Sequence, residues 1–172
     1  MALVAAAALA ALMLTGDPSP CVDRTVAGPP EAAAALMARW ETFKTSATKG
    51  AANVTFTESE VTARGIAYKD EKGAPVEDLQ VYFCPDGRAQ ARGKVTALGL
   101  STHVLVTGTL DLTGEQPRIL VTDAQAGNLP GALGRRVVDS VLDQGDLRTL
   151  RLGARLTSIG YADGTVRLES PP

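Results

Sequence analysis

The side chains able to do chemistry are few and scattered. The single histidine, His103, stands in the run Thr102-His103-Val104. No serine or cysteine in a nucleophile-elbow context accompanies it, and no second histidine could share a metal with it. It reads as a surface or edge histidine. Asp139 and Asp143 lie four residues apart in an amphipathic stretch; a helix there turns both carboxylates the same way, as an acid–base pair or a cation site needs. Like-charged pairs on solvated helix faces are much commoner, so surface charge is the expectation. Gly127, Gly131 and Gly134 sit near a helix start but lack the phosphate-loop lysine and the dinucleotide spacing. Turns and close packing are their expected roles. No catalytic residue, metal or cofactor is expected, and the chain does not read as an enzyme.

Cys21 and Cys84 are the only cysteines. Neither has a second cysteine or a histidine close by in sequence, which argues against a metal site or an activated thiolate. In an oxidising compartment the pair would close and pin the N-terminal segment to a hairpin turn, worth about 4 kcal/mol in the chain-entropy treatment. Two free thiols are the alternative. The compartment is suggested by residues 1 to 15, almost wholly apolar, which run into Gly16-Asp17-Pro18-Ser19-Pro20. That run is short for a membrane span and has the length of a signal-peptide apolar region. No Lys or Arg precedes it and no clean small-x-small site follows, so an uncleaved anchor is the main variant and a buried helix the alternative. Pro18-Ser19-Pro20 before Cys21 does not fit a lipoprotein signal. The expected location is extracytoplasmic, secreted or in the cell envelope.

The 172 residues suit one domain. Seventeen basic against nineteen acidic residues give a net charge of -2, and aromatics make up 4%; neither a basic field nor a base-stacking platform is available, so nucleic acid is not an expected partner. Much of the apolar content is alanine, which predicts a core of small side chains. The expected division is a signal peptide or anchor over 1–16, a Pro-rich linker over 17–30 and a single α+β domain over 31–170.

Within that domain, Pro29-Pro30-Glu31 predicts a helix start. Ala33, Leu36, Met37, Trp40 and Phe43 make one apolar stripe along a helix reaching about Ala47. Asn53 to Phe56 reads as a short strand, and Thr57-Glu58-Ser59-Glu60 as a capping box opening a second helix that ends between Ala67 and Lys72. From Leu79 to Leu129 the chain reads as an antiparallel meander. Leu79, Val81 and Phe83 alternate with polar neighbours up to the turn at Pro85-Asp86-Gly87. Arg88, Gln90, Arg92, Lys94 and Thr96 then share one face, and Ala89, Ala91, Gly93, Val95 and Ala97 the other. Thr102, Val104, Val106, Gly108, Leu110 and Leu112 share a face of the next strand, and Arg118 to Ala126 form a fourth. Gly127-Asn128-Leu129-Pro130 leads into a third helix with Leu133, Val137, Val138, Val141 and Leu142 inward. Two strands around Asp163-Gly164 close the chain. The fold class is therefore α+β, a curved antiparallel sheet of about six to seven strands wrapped against two to three helices.

Ala89, Ala91 and Gly93 are too small to fill the space under a curved sheet. Either a helix approaches closely there, or an apolar cavity takes an acyl chain. Alternation would line such a cavity with Ala91, Gly93, Val95, Val104, Val106, Leu110, Leu133, Val137 and Val141. Arg135, Arg136 and Arg151, with Arg148 and Arg155 nearby, would meet an anionic lipid headgroup or form a solvated rim.

The order of these motifs resembles that of the YpmS-type bacterial envelope proteins and, more distantly, LmeA-type phospholipid-binding proteins and the tubular lipid-binding superfamily. The matching features are the strand into Thr57-Glu58-Ser59-Glu60, Val81-Tyr82-Phe83 with Asp86-Gly87, Gly99-Leu100, the long strand from Val104 to Leu112, and Gly127-Asn128-Leu129-Pro130 before a helix. They span roughly residues 53 to 169. The resemblance implies an N-terminal export or anchor segment, a curved antiparallel sheet on helices, and an apolar groove for lipid without catalysis. The expected function is a non-catalytic envelope domain that binds a lipid or similar amphiphile, with a lipid or membrane surface as partner. The alternative is an envelope structural or protein-interaction domain with a packed core.

Overall fold

Turn and cap chemistry sets most element boundaries in the computed structural model, which describes residues 15–97, 100–112, 118–144 and 154–172. Helix α1 (Pro30–Ala47) starts at its paired prolines with Glu31 in the first turn. Strand β1 (Asn53–Thr57) runs straight into α2 (Glu58–Lys72), whose capping box is complete: Glu60 N donates to the Thr57 hydroxyl and Thr57 N to the Glu60 carboxylate. Gly73 ends α2 in the left-handed region, at φ 63°. The meander follows as β2 (Val76–Phe83), β3 (Ala89–Ala97), β4 (Leu100–Asp111) and β5 (Arg118–Ala126), then α3 (Gly131–Gln144) and the hairpin of β6 (Ser158–Ala162) and β7 (Thr165–Glu169).

The class is α+β, and the described residues hold seven antiparallel strands and three helices. The strands form two open sheets, ordered β2-β3-β4-β5 and β1-β7-β6. The split arises because β1 takes β7 as its partner, Asn53 opposite Glu169 through Thr57 opposite Thr165. That pairing joins residues more than a hundred apart, and no local pattern announces it.

Register decides which side chains share the front face of the larger sheet. Ala91 lies opposite Val106, Gly93 opposite Val104 and Val95 opposite Thr102; Val104 lies opposite Ala126 and Val106 opposite Ala124. In β5 an extra residue, Thr122, enters between the partners of Thr107 and Gly108. This bulge keeps Val121 on the same side as Ala124. In β2, Asp78 and Leu79 together face Gly93, and Asp78 adopts φ 51°. The outer edge of β2 is covered by α2: Val81 N donates to Thr62 Oγ1 at 2.9 Å and Phe83 N to Glu58 Oε1 at 2.7 Å. Those bonds use donors that would otherwise recruit another strand.

The front face is closed at its two ends by different means. At one end Trp40, Phe43, Phe56, Phe83, Leu156, Val166 and Leu168 form a cluster drawn from both sheets and α1. At the other, Val95, Val104, Val121, Ala124 and Ala126 pack under Val138 of α3.

The Pro-rich stretch 17–30, expected from composition as a linker, is fastened to the back of the sheet. Cys21 is bonded to Cys84, so the pair is a disulfide. Cys21 N donates to Gln90 Oε1 at 2.6 Å, and Val26 N to Gln80 Oε1 at 2.9 Å. Pro18 and Val26 are buried. Arg24 forks onto Glu58 through Nε at 2.9 Å and Nη2 at 2.7 Å, and Nη2 also reaches Asp163 at 2.7 Å. One side chain thereby ties the segment to α2 and to the β6–β7 turn, and the two carboxylates, Glu58 foremost, raise its pKa.

Candidate binding face

The apolar residues expected to line a cavity fall on the front face in three groups. Val95 and Val104 are buried in the cluster beneath α3, with Val106 and Val137 packed at its margin. Ala91 and Leu110 are half-buried on the same face. Leu133 is 46% exposed, so it looks outward from the start of α3. Val141 belongs to α3, but its side chain lies outside the described residues, as does Arg151.

The close helix approach expected over Ala89, Ala91 and Gly93 is found instead at Ala124 and Ala126 of β5. A Cβ at Gly134 would stand 3.1 Å from Ala126 N and 3.4 Å from Ala124 O. Helix and strand backbones thus approach closely where Ala124 and Ala126 leave room. Over Gly93 the space is taken by Val76, whose Cγ1 would meet an added Cβ at 2.7 Å. Between this region and the aromatic cluster runs a band that neither covers fully: Ala91, Val106, Gly108, Leu110 and Ile119, all half-buried. It crosses β3, β4 and β5 at neighbouring register positions.

Arg135 and Arg136 are exposed on α3, and Arg135 Nη2 donates to Val121 O at 3.2 Å. Arg155 is exposed; Arg148 lies outside the described residues.

The back face is polar and carries contacts that pattern reading does not find. A cleft of about 340 Å³ lies between the strap and the sheet, lined by Thr25, Val26, Asp78, Leu79, Gln80, Arg92, Gly93 and His103. Asp17 pairs with Arg92 and stands 3.5 Å from His103 Nδ1. That carboxylate raises the Arg92 pKa, while the Arg92 Nε–H is buried with no hydrogen-bond partner among the described residues. The bulge residues Asp78 and Leu79 lie in the wall of this cleft. His103 is therefore half-exposed on the polar side, as expected, but its neighbour Asp17 comes from the strap. The alternation of Gln90, Arg92 and Lys94 marks the polar face, whereas its cover comes from a segment whose composition suggests a tether.

No family model, curated protein or solved structure matches this chain. Among the described residues no group of three or more His, Cys, Asp or Glu side chains could hold a metal, and no helix is long and apolar enough to cross a membrane.

Proposed function

We propose that this protein is an exported, non-catalytic domain that holds one acyl chain or a similar amphiphile against the front face of its larger sheet. The observation that carries the reading is the half-buried apolar band of Ala91, Val106, Leu110 and Ile119 between the aromatic cluster and α3. Both ends of the face are already covered by the chain itself, one by the aromatic cluster and the other by α3. A slender hydrocarbon therefore suits the band better than a ring system. Burying it would contribute about 0.8 kcal/mol per methylene. Arg135 and Arg136, exposed on α3, stand ready for an anionic headgroup.

A second reading, a structural or interaction domain with a packed core, is favoured by the close contact of Gly134 with Ala124 and Ala126 and by Val76 over Gly93. The test is native mass spectrometry of residues 15–172 purified from cells, which keeps the strap, followed by solvent extraction and lipid analysis. A stoichiometric co-purifying lipid, displaced when Val106 or Val104 is replaced by Phe, supports amphiphile binding. A clean apo mass with no uptake of added phospholipid overturns it and leaves the packed domain. The disulfide between Cys21 and Cys84 supports an oxidising, extracytoplasmic location.

A further inference from the structure

The back face has a concave site of its own. The cleft between the strap and the larger sheet has a volume of about 340 Å³, near the low end of the roughly 300 to 1,000 Å³ usual for small-molecule sites. Its polar lining is drawn from three strands and the strap: Asp78 and Gln80 of β2, Arg92 of β3, His103 of β4, and Thr25. Register places the two basic side chains together. His103 lies opposite Lys94, two residues along β3 from Arg92, so Arg92 and His103 are diagonal neighbours on one face.

One carboxylate already sits with that pair. Asp17 Oδ1 bonds Arg92 Nη2 and stands 3.5 Å from His103 Nδ1. The match is incomplete: the Arg92 Nε–H is buried with no partner among the described residues, whereas a guanidinium can give a carboxylate two parallel N–H bonds. Asp17 is poorly placed to complete it, because its backbone is held between the buried Pro18 and Gly16, where an added Cβ would overlap Asn128. Its side chain is 53% exposed, so it can turn out to solvent while the strap stays in place.

Across the cleft the sign reverses. Asp78 is exposed at its bulge position, φ 51°, and has no cationic partner among the described residues. The lysine of this face, Lys94, is turned to Glu77 at 3.9 Å. Two acids, Asp17 and Asp78, therefore share one permanent cation, Arg92. A plain anion would bind beside an unanswered Asp78, and a plain amine would leave the Asp17–Arg92 pair as it stands. A molecule carrying both charges answers both ends once Asp17 has turned away.

We propose that the cleft between strap and sheet binds a small amino-carboxylate, whose carboxylate takes the place of Asp17 on Arg92 and His103 and whose ammonium group faces Asp78. The site lies on the opposite face of the sheet from the amphiphile band, so it stands or falls independently of that reading.

The test titrates the full chain, disulfide closed and labelled for amide NMR, with glycine, β-alanine and γ-aminobutyrate, and with acetate, propionate and butyrate as the matching plain carboxylates. Amide shifts at Thr25, Asp78, Arg92 and His103 read the cleft, and those of α3 serve as the remote control. The amino acid whose charge separation fits should bind about fivefold more tightly than its matching carboxylate, with shifts confined to the cleft. Asp17→Asn removes the competing charge at nearly constant size and should tighten binding about two- to fivefold, a gain that a mere loss of stability does not produce. Asp78→Asn should bring the amino acid and its carboxylate to equal affinity. Arg92→Lys keeps the charge but not the fork, and should weaken every probe about tenfold. Cleft amides that no probe shifts at millimolar concentration overturn the site. Carboxylates that bind as well as the amino acids in the parent, or an Asp17→Asn chain that binds no more tightly, overturn the assigned ligand and the exchange with Asp17. Shifts spread over all charged surfaces and abolished by salt would mark general charge attraction and also overturn the proposal.

Discussion

The two ends of the front face solve one packing problem with opposite materials. At the aromatic end the space is filled by side chains: Trp40 lies 5.2 Å from Phe43 and 6.3 Å from Phe56, ring centre to ring centre, and Phe83 lies 5.8 Å from Tyr161. At the α3 end it is filled by backbone, because Ala124, Ala126 and Gly134 let helix and strand meet directly. The rings come from α1, β1, β2 and β6, with Val166 and Leu168 of β7 beneath them. No single element can leave that end without exposing the others. The other end is closed by one helix resting on two strands. It is the natural place for opening, since a unit held by few apolar contacts separates at lower cost than the whole fold.

Truncating each end in turn should give effects that differ in kind. Trp40→Ala removes the largest ring from the many-element cluster and should cost about 4 kcal/mol. For a chain of this size that lowers the midpoint of thermal unfolding by roughly 10 °C, with one cooperative transition retained. Val138→Ala should cost about 1 to 2 kcal/mol and act locally, raising amide exchange over α3 while β1, β7 and α1 stay protected. If both variants lower the midpoint equally and exchange rises throughout, the two ends belong to one rigid unit and the contrast fails.

The strap should respond as a third region. Replacing Cys21 and Cys84 together by serine removes a crosslink between residues 63 apart in sequence, worth about 3 to 4 kcal/mol in the chain-entropy account. Exchange should rise first over residues 15–29 and along β2 and β3, where the strap crosses, and leave the α3 end unaffected. Arg24 on Glu58 and Asp163, the amides of residues 21 and 26 on Gln90 and Gln80, and the Asp17–Arg92 pair would then hold the strap. A variant with unchanged stability would mean that these polar contacts, rather than the disulfide, fasten it.

A smaller change sharpens the contrast at the α3 end. Gly134→Leu places a side chain where a Cβ already stands 3.1 Å from Ala126 N, so the helix must lift. The expected cost is about 1 to 3 kcal/mol of overpacking, partly offset by the roughly 1 kcal/mol gained in replacing glycine inside a helix. In the amphiphile-binding reading, the lifted helix also speeds lipid exchange between vesicles and protein. Stability that rises instead would show that the close approach is not required.

The elements that local chemistry specifies are legible in the sequence. The capping box at Thr57 and Glu60, the paired prolines opening α1, the glycine turns of the meander and the alternation that puts Ala91, Val104 and Val106 on one face all lie where the residues place them. What depends on distant partners is not legible. Glu58 reads only as part of a helix start, yet it is 6% exposed because Phe83 N of β2 and Arg24 of the strap, distant from it in sequence, both bond its carboxylate. The strap reads as a tether because prolines disfavour helices and strands, although an extended segment with free amides is well suited to bond Gln80 and Gln90 across a sheet. Met37 belongs to the apolar stripe of α1 but stays 39% exposed, since the cluster ends at Trp40 and Phe43.

Acid should loosen the aromatic end through a group on its rim. Arg39 lies over the Phe56 ring, 5.2 Å from its centroid, and pairs with Glu60. Burial pushes the Glu60 carboxyl up, but the Thr57 amide and hydroxyl and the Arg39 guanidinium together outweigh it and hold the pKa below the usual carboxylate range. A depressed folded-state value means that the ionised form stabilises the fold. This contribution is fully present above the unfolded value near 4.3, and it is lost as pH falls through the folded one. Glu60→Gln keeps an acceptor for the Thr57 amide but removes the charge. It should cost about 1 kcal/mol at pH 7 and flatten the fall in stability between pH 5 and 3, as measured by urea unfolding at each pH. Because Glu60 sits on α2, beside β1, the acid-induced loosening should appear in amide exchange over β1 and α1 before it appears in α3. An acid limb that is identical in the parent and Glu60→Gln would place the sensitive carboxylate elsewhere and separate the rim from the cluster it encloses.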